Sequence, residues 1–228
     1  MYESAAKKTQ EALKDAAHAS FPDEEARDVA LGRIYYDMAQ QADRLNQYTD
    51  VVVYETAAVQ LGGPNDYEHA ICYGLHQLKQ DAEAVRACSQ TIVDQPNDIY
   101  AYYWRGVARR ALMQPDAALD DLAVVADSPN NFRASAAITM SLIYFDRDDN
   151  AGALNILNKY GYLYDTNTQS KATIATAYNN RCYAYMQLGD LEKALDECTA
   201  SLKYGSIPDA FRKQQELVKR LSPRGSNL

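Results

Sequence analysis

The residues best suited to chemistry in this chain are its four cysteines and three histidines. Cys72 and Cys88 repeat the spacing of Cys182 and Cys198. Two readings stand side by side. Each cysteine is a small apolar filler at a tight helix contact, or each pair closes a disulfide within one helical hairpin, which needs an oxidising compartment. His69, Cys72 and His76 look like the start of a metal site. On a helix the two imidazoles stand about 10.5 Å apart at about 1.5 Å rise per residue, too far for one ion with bonds near 2.1 Å, so solvated or hydrogen-bonded histidines are the reading. Asp146-Arg147-Asp148-Asp149-Asn150 begins like a calcium loop, but Ala151 replaces its turn glycine and Leu157 its closing glutamate. Turn formation and helix capping account for those acids and amides. There is no Gly-x-Ser-x-Gly, no phosphate-binding glycine loop and no His-Glu-x-x-His. No catalytic residue, metal or cofactor is assigned, and no enzyme is expected.

The elements that hold these residues are helices in pairs. Tyr178–Ser201 reads as two amphipathic helices bent back at Leu188-Gly189-Asp190. Gly189 supplies a positive φ to end the first helix and Asp190 caps the second. Cys182 and Ala194 are small enough for the two backbones to approach. The positions Cys182, Ala194, Cys198 and Ser201 define a ruler that recurs three times upstream: Ser141, Ala153, Leu157, Tyr160; Gly106, Ala118, Leu122, Val125; Cys72, Ala84, Cys88, Thr91. The alanine slots step by 34, 35 and 41 residues, a period that belongs to helical solenoids. A weaker fifth copy runs through Ala39, Val51, Glu55 and Ala58, with Glu55 a poor packing residue. The long third step places extra residues in Gly161–Ser170, as a loop or as an early start to the next helix. Gln95-Pro96-Asn97-Asp98 and Ser128-Pro129-Asn130 mark joints between copies.

This pattern of small slots, aromatics and alanines resembles the tetratricopeptide (TPR) repeat. The resemblance implies an all-α fold, a right-handed superhelical solenoid of antiparallel helix pairs. Residues 1–31 read as an N-terminal helical extension, and Pro22 or Asp23 lies near the start of its second helix. The array covers 32–208, in copies at about 32–64, 65–98, 99–132, 133–167 and 175–208. Residues 209–221 form a capping helix with Phe211, Leu217, Val218 and Leu221 on its inner face, and 222–228 a flexible tail. The chain departs from the family's pattern at Glu68 and Ala137, where an aromatic is usual, at Arg109, where a tyrosine is usual, and at Tyr160, where a small residue is usual.

The resemblance also implies that the first helices of successive copies line an inner wall that holds an extended peptide or a partner helix. Six aromatics fall on that wall: Tyr73, Tyr100, Tyr103, Trp104, Phe145 and Tyr183. Asn179 and Asn180 lie beside them with amide edges suited to a peptide backbone. Any one of these residues could instead pack against a neighbouring helix. Family members that bind acidic chaperone tails carry Lys, Arg and Asn on this wall, whereas His69, Tyr73, Trp104, Ser135 and Thr139 stand here. A partner segment with apolar or aromatic side chains fits better.

Bulk composition narrows the classes further. A formal charge of −8 argues against nucleic acid and anionic lipid. Eighteen tyrosines against four phenylalanines suit half-wet helix surfaces. No apolar run is long enough for membrane insertion, and residues 1–20 lack a secretory core. The expected location is cytoplasmic, or periplasmic or secreted if both cysteine pairs are disulfides. The expected role is an interaction scaffold; the alternative is a self-associating or permanent subunit of an assembly, homo-oligomers included, or, with intra-repeat disulfides, an exported envelope scaffold.

Overall fold

A computed structural model of the chain describes residues 11, 13–16, 19–64, 69–163 and 169–222. Most of the expected first helix (residues 2–19) and of the tail lies outside the described residues. Among the described residues every regular element is helical, and no helix is long and apolar enough to cross a membrane. The chain divides into two compact units, Met1–Gln114 and Pro115–Leu228.

The first unit contains α1 (Glu24–Arg44), α2 (Tyr48–Gln60), α3 (His69–Gln77), α4 (Asp81–Asp94) and α5 (Ile99–Ala111). Each packs on the next, and α3 also touches α5. The second contains α6 (Pro115–Asp127), α7 (Arg133–Asp146), α8 (Asn150–Lys159), a short 3-10 turn at Gly161–Leu163, α9 (Lys171–Leu188), α10 (Leu191–Tyr204) and α11 (Pro208–Leu221). Here too neighbours pack in order, with added contacts of α9 to α7 and α11. Contact with the next helix and the next but one is the connectivity of a solenoid.

Every ruler position is buried, from Ala39 and Val51 to Cys198 and Ser201. Glu55 is no exception: it sits fully buried in its packing slot. Tyr160, where the family places a small residue, is also buried. Its hydroxyl escapes the core by donating to Asp127 at 2.8 Å, so the ring fills the slot without stranding a polar atom. Burial first, then that bond, raises its pKa above the usual tyrosine value.

Helix starts follow simple chemistry. Asp23, Asp98, Asp149, Ser170 and Asp190 each accept a bond from a first-turn amide of α1, α5, α8, α9 and α10 respectively. α1 runs unbroken through residue 32, where the pattern's first copy starts. α9 begins at Lys171, so part of the long third step is an early helix start. The turns inside the pairs share one device. Asn46, Lys79, Met113, Asp148 and Gly189 all have positive φ, and each precedes by five residues a slot at Val51, Ala84, Ala118, Ala153 or Ala194.

Candidate functional site

In the first unit a close backbone approach sets the geometry. A side chain at Gly74 would meet Val52 at 2.8 Å and the Tyr48 carbonyl at 3.3 Å. α3 therefore lies hard against the start of α2, and Tyr73 is brought to Tyr48. The two rings meet edge-on at 5.4 Å. Tyr73 next tilts against Trp104 of α5 at 4.6 Å, and Trp104 meets Tyr103 edge-on at 5.0 Å. The result is a half-buried ladder, Tyr48–Tyr73–Trp104–Tyr103, with centroid spacings at which aromatic pairs attract beyond simple burial. A hydroxyl relay runs along its edge: Tyr73 donates to Tyr48 at 3.4 Å, and Tyr48 to Asn46 at 2.8 Å. Burial, and then the bond with Tyr48, push the Tyr73 pKa well up.

Two histidines flank the ladder. His76 Nδ1 pairs with Asp81 at 2.5 Å, and its ring lies 6.0 Å from Trp104. His69 Nδ1 pairs with Asp98 at 3.1 Å and stacks on Tyr100 at 4.7 Å. The histidines thus bind separate carboxylates. Burial alone would raise the Asp98 pKa, but the His69 bond and the Tyr100 and Ala101 amides outweigh it and hold it below the usual value. Tyr100 stays 38% exposed beside the ladder rather than in it.

In the second unit the wall has a different make-up. Phe145 and Tyr183 meet edge-on at 5.1 Å. Lys213 of α11 lies over the Tyr183 ring at 5.0 Å. Its ammonium donates to Asp209 at 2.5 Å and to Asn179 at 3.3 Å, while the Asn179 amide donates to Asp209. The Lys213 bond, foremost, lowers the Asp209 pKa. Tyr183, Met186 and Gln187 of α9 and Asp209, Arg212, Lys213, Glu216 and Arg220 of α11 line a recess of about 570 Å³.

The sequence-named residues therefore fall into two groups. Tyr73, Tyr103 and Trp104 come together, with Tyr100 alongside; Phe145, Tyr183 and Asn179 gather in the other unit. Asn180 points inward, buried, and donates to Ser141 at 3.4 Å. Tyr48, Lys213 and Asp209 lie outside the candidate site set that the spacing defines. The i, i+4 acid–base pair Asp209–Lys213 carried a readable signal; Tyr48 sits at a helix start and carried none.

The expected inner face of α11 needs correction. Ala210 and Leu217 are buried, whereas Phe211 is 54% exposed and Val218 and Leu221 are also outside. Alanine lets the helix lie close, and Phe211, one residue further on, is turned about 100° away. The cysteines divide between the two readings. Cys182 and Cys198 form a disulfide with a Cα–Cα distance of 5.2 Å. Cys72 and Cys88 are buried thiols.

Comparison with solved structures settles the fold. A tetratricopeptide repeat protein from Parabacteroides merdae superposes with a TM-score of 0.62 at 14% identity, covering 96% of this chain and 86% of that one. The fold is a tetratricopeptide-repeat fold. YrrB, described as a TPR protein with an unusual peptide-binding site, matches with a TM-score of 0.56 at 15% identity over 92% of this chain and all of its own. MamA from Desulfovibrio magneticus RS-1 matches at 0.57 and 16% identity over 84% of this chain and 97% of its own. No family model and no curated protein sequence matches this TPR-like chain.

Proposed function

We propose that this chain is a non-catalytic protein-interaction scaffold whose first unit holds a partner segment rich in apolar or aromatic side chains. The observation that carries this is the ladder Tyr48–Tyr73–Trp104–Tyr103, a run of half-buried rings on the α2–α3–α5 surface. Half-buried aromatics on rigid helices lose little entropy when they bind and are the side chains that dominate partner affinity. The peptide-binding site named for YrrB supports the same use of a TPR fold.

The second unit contributes a more polar recess, in which Tyr183 and Met186 offer apolar contact and Arg212, Lys213 and Arg220 offer charge.

Panning a random-peptide library against the chain and its Trp104→Ala variant tests the reading. Selected peptides are expected to be rich in aromatic and large apolar residues, and to lose about 30-fold or more in affinity for the variant. Peptides that bind both forms equally would end the assignment of the ladder. Self-association is a second reading, favoured by the exposed Phe211, Val218 and Leu221 of α11. Concentration-dependent light scattering separates it from partner binding.

A further inference from the structure

The Cys182–Cys198 disulfide lies directly behind the recess of the second unit. Both cysteines are fully buried and form one core cluster with Ala194 and Leu217. Met186 packs on this cluster and also lines the recess. Leu217 is the anchor of α11, which supplies the recess's opposite wall. α11 has a narrow seat: Ala210 and Leu217 are its buried residues, helped by Gln214 donating to Thr199 at 2.9 Å and by the Lys213–Asn179–Asp209 group. The matching hairpin α3–α4 packs with Cys72 and Cys88 as thiols. A bond between the two helices is therefore not a general requirement of hairpin packing in this chain. On the bonded hairpin, Leu217 of α11 shares one buried cluster with both sulfurs.

We propose that the Cys182–Cys198 pair is a redox site that governs the α9–α11 recess. With the bond intact, α9 and α10 are held as one body and Leu217 has a fixed socket. A dithiol reductant breaks it by exchange: a thiolate attacks one sulfur, the S–S bond opens to a mixed disulfide, and the second thiol resolves it. The reductant leaves as a disulfide, and Cys182 and Cys198 each gain a hydrogen, two electrons and two protons in all. Because the sulfurs are buried, exchange proceeds through local opening of the hairpin. Once reduced, the two sulfurs part to non-bonded distance, the Leu217 socket beside them loosens, and α11 leaves its seat. The recess then loses the wall that carries Arg212, Lys213 and Arg220.

The consequence for a partner rests on the proposed binding role of the recess; the movement of α11 does not. Hydrogen exchange on the full chain, before and after treatment with a dithiol reagent, reads the movement directly, with a two-hydrogen mass gain confirming reduction. Amides of 208–221 are expected to exchange about tenfold faster or more, with α3 and α4 unchanged. Unchanged α11 amides after reduction overturn the proposal, and so does equal acceleration along the whole chain. The Cys182→Ala/Cys198→Ala variant is expected to match the reduced protein without reagent, and protection of its α11 at the oxidised level likewise overturns it. If α11 is released but peptide binding is unaffected, the role of the recess in binding fails and the redox site stands.

Discussion

The two candidate surfaces occupy corresponding register positions and are built in different ways. In the first unit the rings lean on one another: Tyr73 touches Tyr48 on one side and Trp104 on the other. In the second, Tyr183 has Phe145 on one side and the Lys213 ammonium on the other. The first surface is supported by the close approach of α3 to α2 at Gly74. The second depends on α11, a helix with two buried anchors. A repeat thus fixes where a side chain stands, and the neighbouring element decides what it touches. One surface is a rigid apolar ridge; the other is a recess whose far wall is lightly held.

The strongest way to break this contrast is Leu217→Ala. Truncating a fully buried leucine costs about 2–5 kcal/mol, and here the loss should fall on α11 and the recess. The chain's single tryptophan lies in the first unit, so its fluorescence reports the ladder. Thermal unfolding followed at 208–221 by hydrogen exchange should shift down, with Trp104 emission in the native state unchanged. A change in that emission would show that the first surface also leans on α11.

A smaller effect sharpens the first surface. Asp98 caps α5 and holds His69 against Tyr100. Its pKa is lower folded than the ordinary 3.8, so its contribution is present above that value and fades as pH falls through the folded value. Asp98→Asn keeps a competent cap but loses the charged partner of His69. The variant should be about 1–2 kcal/mol less stable at neutral pH, and the gap should close below about pH 4. A gap independent of pH would place the effect in packing rather than charge.

Much of the fold could be read from spacing, because a helix pair that nests closely admits only small or well-fitted side chains at the contact. That is why Cys182, Ala194 and even the divergent Glu55 copy lie where the ruler puts them. On α11, hydrophobicity favours Phe211 for the inner face, whereas close approach favours the smaller Ala210, and close approach prevails. The site was legible in part. Trp104 and Tyr73 could be placed on one wall by rotation around the helix, but the ladder needed Tyr48, which enters from a helix start. Nothing in the spacing tells a bonded cysteine pair from a pair of thiols, since both satisfy the same small slot.

The turns permit the finest comparison between the units. Gly189 takes a φ of 83° freely, while Met113, at the matching turn of the first unit, takes 58° with a side chain that is 80% exposed. A left-handed conformation costs an ordinary residue about 1–2 kcal/mol, and glycine's extra freedom in the unfolded chain costs about 0.5–1 kcal/mol in return. Met113→Gly should therefore stabilise by up to about 1 kcal/mol, because the exposed thioether gives little packing to lose. Gly189→Ala should destabilise by a similar amount, since no neighbouring atom lies within 4 Å of the added carbon and backbone strain is the whole effect. Opposite signs for these two changes in denaturant unfolding would show that one turn geometry serves both units, with glycine supplied in only one of them.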